Sequence, residues 1–97
     1  MALTFEWDEE KGRENLRKHG VTFGEAMTVF ADTWSWTVDD PDHSGAEARF
    51  LTIGRSSGGR TLVVVHVDRG QNVRLISARR ATRRERVSYE QDSSKRR

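Results

Sequence analysis

The sequence of 97 residues contains no cysteine and a single proline, and it has no long apolar run. Without cysteine, the chain can form neither a disulfide framework nor a zinc–thiolate site. A membrane span needs about 18 consecutive apolar residues, and the N-terminus lacks the basic-then-apolar pattern of a signal peptide. A chain of this length supports one modest core. We therefore expect one cytoplasmic domain over residues 1–90, with a flexible basic tail over 91–97.

Metal-binding and catalytic signatures are also missing. One polar segment, residues 39–45, carries Asp39, Asp40, Asp42 and His43, which together could suggest a metal site. No second histidine follows at a suitable spacing, so we expect neither a metal ion nor another cofactor. The sequence contains no phosphate-binding Walker loop, dinucleotide fingerprint, nucleophile elbow or HExxH motif.

Charge is distributed unevenly along the chain. Residues 1–59 contain 6 basic and 11 acidic residues, a net charge of −5, whereas residues 60–97 contain 11 basic and 4 acidic residues, a net charge of +7. The total of +2 conceals this difference. The pattern indicates that the C-terminal half faces a polyanion and that the acidic half points elsewhere.

The apolar pattern predicts an α+β fold with a short first strand and two helices. The strand covers residues 3–7, and the first helix runs from Glu9 to His19 between Asp8 as N-cap and Gly20 as C-cap. Thr22 and Glu25 form a capping box that opens a second helix. Its core-facing positions are Phe23, Ala26, Met27 and Phe30.

From Trp34 onward the pattern changes to alternation, which predicts a four-stranded antiparallel meander and a C-terminal helix. The first strand places Trp34, Trp36 and Val38 on one face. We expect the two tryptophans to pack against the helices, although they could stack on bases. Three further strands are predicted over residues 47–55, 60–67 and 73–78, joined by loops over 56–59 and 68–72.

Five arginines cluster where the last strand meets the last helix, between Arg79 and Arg86. Thr82 and Glu85 form another capping box, so the helix begins at this junction. The positive end of the helix dipole and the guanidinium groups would favour a phosphate here. Charge alone is more typical of a solvated basic helix face.

Beside these features, short motifs along residues 5–90 resemble one known family. They are Phe5-Glu6-Trp7-Asp8, Asn15-Leu16-Arg17-Lys18-His19-Gly20-Val21-Thr22-Phe23, Glu25-Ala26, Asp42-His43-Ser44, Glu47 with Arg49, Ile53-Gly54-Arg55-Ser56, Gly59-Arg60, Val64-Val65-His66, Ile76 to Thr82, Glu85-Arg86 and Tyr89-Glu90. In this order they resemble BrnT-type toxins of type II toxin–antitoxin modules.

The resemblance implies a RelE/ParE-like fold and a metal-independent ribonuclease that arrests translation. It also implies a BrnA-type antitoxin, a ribbon-helix-helix protein that neutralises the toxin and brings the complex to promoter DNA. RNA carries its own nucleophile, the 2′-hydroxyl, so such a protein needs proton-transfer groups and positive charge.

On this chemistry we select candidate site residues. The candidate catalytic residues are Arg60, His66, Arg79, Glu47 and Tyr89. The candidate RNA-binding residues are Arg49, Arg55, Arg80, Arg83, Arg84 and Arg86. Two alternatives stay open: a non-enzymatic ParE-like toxin or adaptor that binds a protein target, and a nucleic-acid-binding subunit of a repressor complex.

Overall fold

The computed structural model describes residues 3–40 and 47–96. In chain order its elements are β1 (Thr4–Glu6), α1 (Glu9–His19), α2 (Phe23–Met27), a 3₁₀ helix (Thr28–Ala31), β2 (Trp36–Asp39), β3 (Arg49–Arg55), β4 (Thr61–Arg69), β5 (Asn72–Arg80) and α3 (Arg83–Arg96). The prediction of an α+β fold is confirmed. None of the described helices is long and apolar enough to cross a membrane.

The limits of α1 agree with the capping residues read from the sequence. The Asp8 side chain accepts a hydrogen bond from the Lys11 backbone N–H at 3.0 Å. At the other end, Gly20 adopts a left-handed conformation with φ of 68°, and its N–H donates to the Leu16 carbonyl. A residue without Cβ takes this conformation without strain, so the helix ends there.

The second helix begins as predicted but is shorter. Thr22 Oγ1 accepts a hydrogen bond from the Glu25 backbone N–H at 3.0 Å. After Met27 the chain winds more tightly, into the 3₁₀ helix. Val29 of the 3₁₀ helix is fully buried, whereas Met27 is 39% exposed. The prediction that Met27 faces the core is therefore wrong, because Val29 fills that part of the core instead.

The sheet has five strands, in the order β1-β5-β4-β3-β2. Strands β2 to β5 pair antiparallel with their sequence neighbours. β1 pairs in parallel with β5, with Phe5 opposite Val73. The prediction kept the short first strand apart from the four-stranded meander, whereas β1 joins the sheet as its fifth strand, beside a partner nearly 70 residues away. Loop 68–72 is also shorter than predicted, because Asp68 and Arg69 pair with β5.

Two apolar cores lie on opposite faces of the sheet. Under α1 and α2, the buried residues are Val21, Phe23, Ala26, Val29, Leu62, Val64, Val73, Leu75 and Ala78. The other core is smaller and contains Ile53, Val63 and Tyr89, with Trp34 and Trp36 packed against it. The prediction that the tryptophans pack on the first two helices is wrong: they lie on the face that carries Tyr89 of α3.

The last helix extends beyond the predicted domain limit at residue 90. It continues through Arg96, and Ser93 is buried within it. Residues 91–96, expected to form a flexible tail, are therefore the last turns of α3; Arg97 lies outside the described residues. The polar composition of 91–97 suggested a frayed end, but a helix already nucleated upstream extends at little cost.

A glycine in β3 allows the 3₁₀ helix to approach the sheet. A Cβ built on Gly54 would lie 2.8 Å from Ser35 Cβ and 2.9 Å from Val29 Cγ1. We expect Gly54→Ala to lower the free energy of unfolding by about 1–3 kcal/mol, measured by urea denaturation. Gly24→Ala in α2 is the matched control, because its Cβ meets nothing nearer than 3.8 Å. Equal stability of the two variants would contradict this account of the packing.

Candidate nucleic-acid interface

A cleft of about 460 Å³ opens between the β3–β4 hairpin, the end of β5 and the first turns of α3. Its lining residues are Arg55, Gly59, Arg60, Thr61, Arg80, Ala81, Arg83, Arg86 and Glu90. Five of these nine are arginines, contributed by four separate parts of the chain. The sheet topology brings them together, because the last residues of β3 and β5 and the first residues of β4 lie at the same end of the sheet.

The junction between β5 and α3 is closed by the predicted capping box. The Thr82 backbone N–H donates to Glu85 Oε1 at 2.8 Å, and the Glu85 N–H donates to Thr82 Oγ1 at 3.2 Å. Arg79 adds two hydrogen bonds to the same carboxylate, at 2.8 and 3.0 Å. These bonds from Arg79, with that from Thr82, lower the pKa of Glu85 from 4.5 to about 2 despite its partial burial.

This geometry changes the role expected of Arg79. Its guanidinium forms a bidentate pair with Glu85 and does not line the cleft. Glu85 also occupies the N-terminus of α3, so a protein carboxylate already meets the attraction that the helix dipole offers to anions. The structure thus places Arg79 where it holds the junction together.

Arg60 lines the cleft, and its guanidinium is held in place by Glu25 and by the Gly20 carbonyl. Its Nε donates to Glu25 Oε2 at 3.0 Å, and its Nη2 donates to Glu25 Oε1 and to the Gly20 carbonyl. Ser56 Oγ donates to the same carboxylate at 2.6 Å. The bonds from Arg60, followed by Ser56 and the charge of Arg80, lower the pKa of Glu25 against the effect of burial. The hairpin therefore presents Arg60 in one fixed orientation.

Tyr89 and Asp32 anchor α3 to the sheet. Tyr89 is 3% exposed, and its hydroxyl donates to Asp32 Oδ2. The same oxygen accepts a hydrogen bond from the Arg55 backbone N–H at 2.8 Å, and Oδ1 accepts one from the Trp34 N–H at 3.0 Å. Burial raises the pKa of Asp32, but these three hydrogen bonds outweigh it and leave the pKa below its usual value. Tyr89 is thus buried away from the cleft.

His66 is also buried, on the other face of the sheet. It is 1% exposed, and its ring lies against Phe30 with centroids 4.9 Å apart. One ring nitrogen is 2.6 Å from Asp68 Oδ1 and the other is 2.7 Å from Thr52 Oγ1. His66 therefore lies inside the core, where both ring nitrogens have protein partners, and it does not reach the arginines of the cleft.

Glu47 and Arg49 lie at the opposite end of the sheet from the cleft. Glu47 forms an exposed ion pair with Arg69, at 2.8 and 2.9 Å. Arg49 begins β3 and Arg55 ends it, so about 20 Å separates them at the usual rise per residue. Glu47 and Arg49 therefore lie far from Arg60, which follows the other end of the same strand.

Arg84 points away from the cleft and lines a shallow groove with Arg83, Val87, Ser88 and Gln91 on the outer face of α3. Of the eleven predicted site residues, the structure brings together Arg55, Arg60, Arg80, Arg83 and Arg86. Glu90 was missed as a site residue. Its spacing of four from Arg86 and seven from Arg83 places the three on one helix face, a signal the sequence does contain.

The described residues contain no group of three histidine, aspartate or glutamate side chains that could hold a metal ion. Of the acidic loop considered in the sequence, Asp42 and His43 lie outside the described residues. A cleft lined by five guanidinium groups is suited to phosphate oxygens, because the planar fork donates two parallel hydrogen bonds. The fold and the cleft together define a small α+β protein with a cleft whose charge is suited to a polyanion.

Comparisons with known proteins identify the family. The model described as the ribonuclease toxin BrnT of type II toxin–antitoxin systems matches residues 7–85. The crystal structure of the Brucella abortus ribonuclease toxin BrnT is similar, with a TM-score of 0.61 and 25% identity over 84% of this chain and 100% of that one. A search of curated protein sequences gives no significant match. The chain belongs to the BrnT family of ribonuclease toxins, which confirms the resemblance seen in the sequence.

The capping carboxylate makes stability depend on pH in a defined window. The folded pKa of Glu85, about 2, lies below its ordinary value of 4.5. Its contribution to stability is therefore complete above pH 4.5 and is lost as the pH falls towards 2. We expect Glu85→Gln to lower the free energy of unfolding by about 1–2 kcal/mol at pH 7. In urea denaturation, this difference should shrink between pH 4.5 and pH 3.

Thr82→Ala is the matched control for this measurement. It removes the other half of the capping box, at a cost of about 1 kcal/mol, without removing a titrating group. Its destabilisation should change far less with pH than that of Glu85→Gln. A constant difference between wild type and Glu85→Gln from pH 7 to pH 3 would contradict the assigned pKa.

Proposed function

We propose that the chain is a RelE-like, metal-independent endoribonuclease whose arginine-lined cleft binds the RNA backbone at the scissile phosphate. One observation carries the proposal: Arg55, Arg60, Arg80, Arg83 and Arg86 converge on a single cleft. Family membership supplies the ribonuclease class. The α+β architecture is compatible with a RelE/ParE-like fold, which stays part of the proposal.

The proposed chemistry uses the substrate's own nucleophile. The 2′-hydroxyl attacks the adjacent phosphorus, and negative charge accumulates on the non-bridging oxygens of the phosphorane. Arginines with fixed orientation stabilise that charge most, since they need not reorganise during the reaction. Arg60 fits this requirement because Glu25 fixes its guanidinium. Arg83 and Arg86 are exposed and fit the role of backbone ligands.

The remaining predicted site residues receive different roles in this proposal. Arg79 supports the cleft through Glu85, and Tyr89 supports it through Asp32. His66 lies within the core and Glu47 pairs with Arg69, so neither takes part in proton transfer. RNA binding by Arg49 and Arg84 stays a prediction for the parts of a long substrate that extend beyond the cleft.

Substitution of a cleft arginine should separate catalysis from stability. We expect Arg83→Ala or Arg86→Ala to lower kcat/KM for RNA cleavage roughly 10- to 100-fold, because one ligand that positions the RNA backbone is lost. The melting temperature should change little, since both side chains are exposed. The assay uses a labelled RNA, with products identified as 2′,3′-cyclic phosphates by mass spectrometry.

Arg69→Ala is the control, because Arg69 is exposed at the opposite end of β4. A substrate with a 2′-O-methyl group at the cleavage position should not react. Cleft variants that cleave RNA as fast as Arg69→Ala would refute the assignment of the cleft. Wild-type protein that leaves RNA intact would favour a ParE-like toxin or adaptor that binds a protein target, or a nucleic-acid-binding subunit of a repressor complex.

We further propose a BrnA-type partner, a ribbon-helix-helix antitoxin that binds promoter DNA and carries the toxin with it in the cytoplasm. The exposed arginines of the cleft would be covered by acidic antitoxin side chains. The acidic residues of α1, Glu9, Glu10 and Glu14, would face away from this contact or meet basic antitoxin residues. A type II antitoxin neutralises by direct binding, and opposite charges would speed that encounter.

The positive charge of the cleft should speed the association of the toxin with its antitoxin. We expect the association rate to fall steeply between low and physiological salt, and to fall roughly tenfold in an Arg83→Ala/Arg86→Ala double variant at low salt. Stopped-flow fluorescence measures both effects, with Arg69→Ala as the control. Association that depends on neither salt nor these arginines would place the antitoxin on another face.

A further inference from the structure

A carboxylate from the middle of α3 enters the arginine-lined cleft. Glu90 follows Arg86 by four residues and Arg83 by seven, so the helix presents the three side chains on one face. Its Oε2 lies 3.6 Å from Arg55 Nη2, and its side chain is 48% exposed. Glu90 is the only carboxylate among the described residues that line the cleft.

The other groups near the cleft are unsuited to accept a proton. The five arginines remain charged at every relevant pH and offer no lone pair. The Thr61 hydroxyl is a weak base. Three further carboxylates lie close behind the cleft wall, but each is engaged within the protein: Glu25 by Arg60, Glu85 by Arg79 and Asp32 by Tyr89.

The side chain of Glu90 contributes little to the stability of the fold. Its ion pair with Arg55 is long and about half exposed on both sides, and such pairs add little to stability. The neighbouring Tyr89 supplies the buried anchor of this turn. Glu90 is therefore a carboxylate held over the binding surface by a helix that other residues fix in place.

We propose that Glu90 is the proton acceptor for RNA cleavage, a role that rests on the proposed ribonuclease function. Its carboxylate takes the proton of the 2′-hydroxyl as the bond between O2′ and phosphorus forms. The bond between phosphorus and O5′ breaks, and the departing oxygen takes a proton from solvent water in the open cleft. Glu90 then returns its proton to solvent. The products are a 2′,3′-cyclic phosphate and a 5′-hydroxyl.

The test separates binding from turnover in the full-length chain. Glu90→Gln keeps the shape of the side chain, and general bases typically contribute about 10²- to 10⁴-fold. We expect kcat to fall by at least about 100-fold, while KM is unchanged or lower because a negative charge has left the basic cleft. Affinity for a 2′-O-methyl RNA, measured by fluorescence anisotropy, should be unchanged or higher.

Two further variants complete the comparison. Glu90→Asp keeps a base but withdraws it by one methylene, so it should retain more activity than Glu90→Gln. Glu10→Gln removes an exposed carboxylate from α1 and should cleave RNA like wild type. Melting temperatures of all three variants should match the wild type, since each side chain is exposed.

The outcomes distinguish this inference from the proposed function. If wild type cleaves RNA and Glu90→Gln cleaves equally fast or faster, Glu90 is not the proton acceptor, while the ribonuclease proposal stands. A Glu90→Gln variant that loses activity only through weaker RNA binding would also overturn the inference. If wild type itself leaves RNA intact, the proposed function fails and the role of Glu90 fails with it.

Discussion

The carboxylate of Asp32 joins the parts of the chain that form the cleft. It accepts hydrogen bonds from Tyr89 of α3, from the backbone of Arg55 at the end of β3, and from the backbone of Trp34. α3 has few apolar residues, so burial alone would hold it weakly against the sheet. The buried Tyr89 and its bond to Asp32 therefore determine how far Arg83, Arg86 and Glu90 lie from Arg55.

A second constraint is the division of the arginines into two kinds. Arg60 and Arg79 each form a bidentate pair with a glutamate whose pKa is lowered by that contact. These pairs fix the hairpin and the β5–α3 junction on either side of the cleft. Arg80, Arg83 and Arg86 lie between them and are exposed to solvent. Arg79 thus only shapes the cleft, whereas Arg60 both shapes it and lines it with the three exposed arginines.

Local patterns in the sequence were sufficient for much of the fold. Asp8, Thr22 and Thr82 each marked a helix start correctly, because capping is a contact over three residues. Long-range contacts were the source of error: β1 pairs with β5 across nearly the whole chain, and the glutamate that engages Arg60 lies 35 residues before it. His66 and Tyr89 appeared suited to catalysis as residue types. Both are buried away from the cleft, and sequence alone does not reveal this burial. Glu90 could have been found from its helical spacing to Arg86.

Binding of RNA at this cleft can be tested by amide chemical-shift mapping with a short 2′-O-methyl RNA, which lacks the nucleophile for cleavage. We expect the largest perturbations at the end of β3, in the β3–β4 hairpin and along the cleft face of α3, including Arg55, Arg86 and Glu90. Perturbations concentrated instead around Glu47, Arg49 and Arg69, at the other end of the sheet, would contradict it.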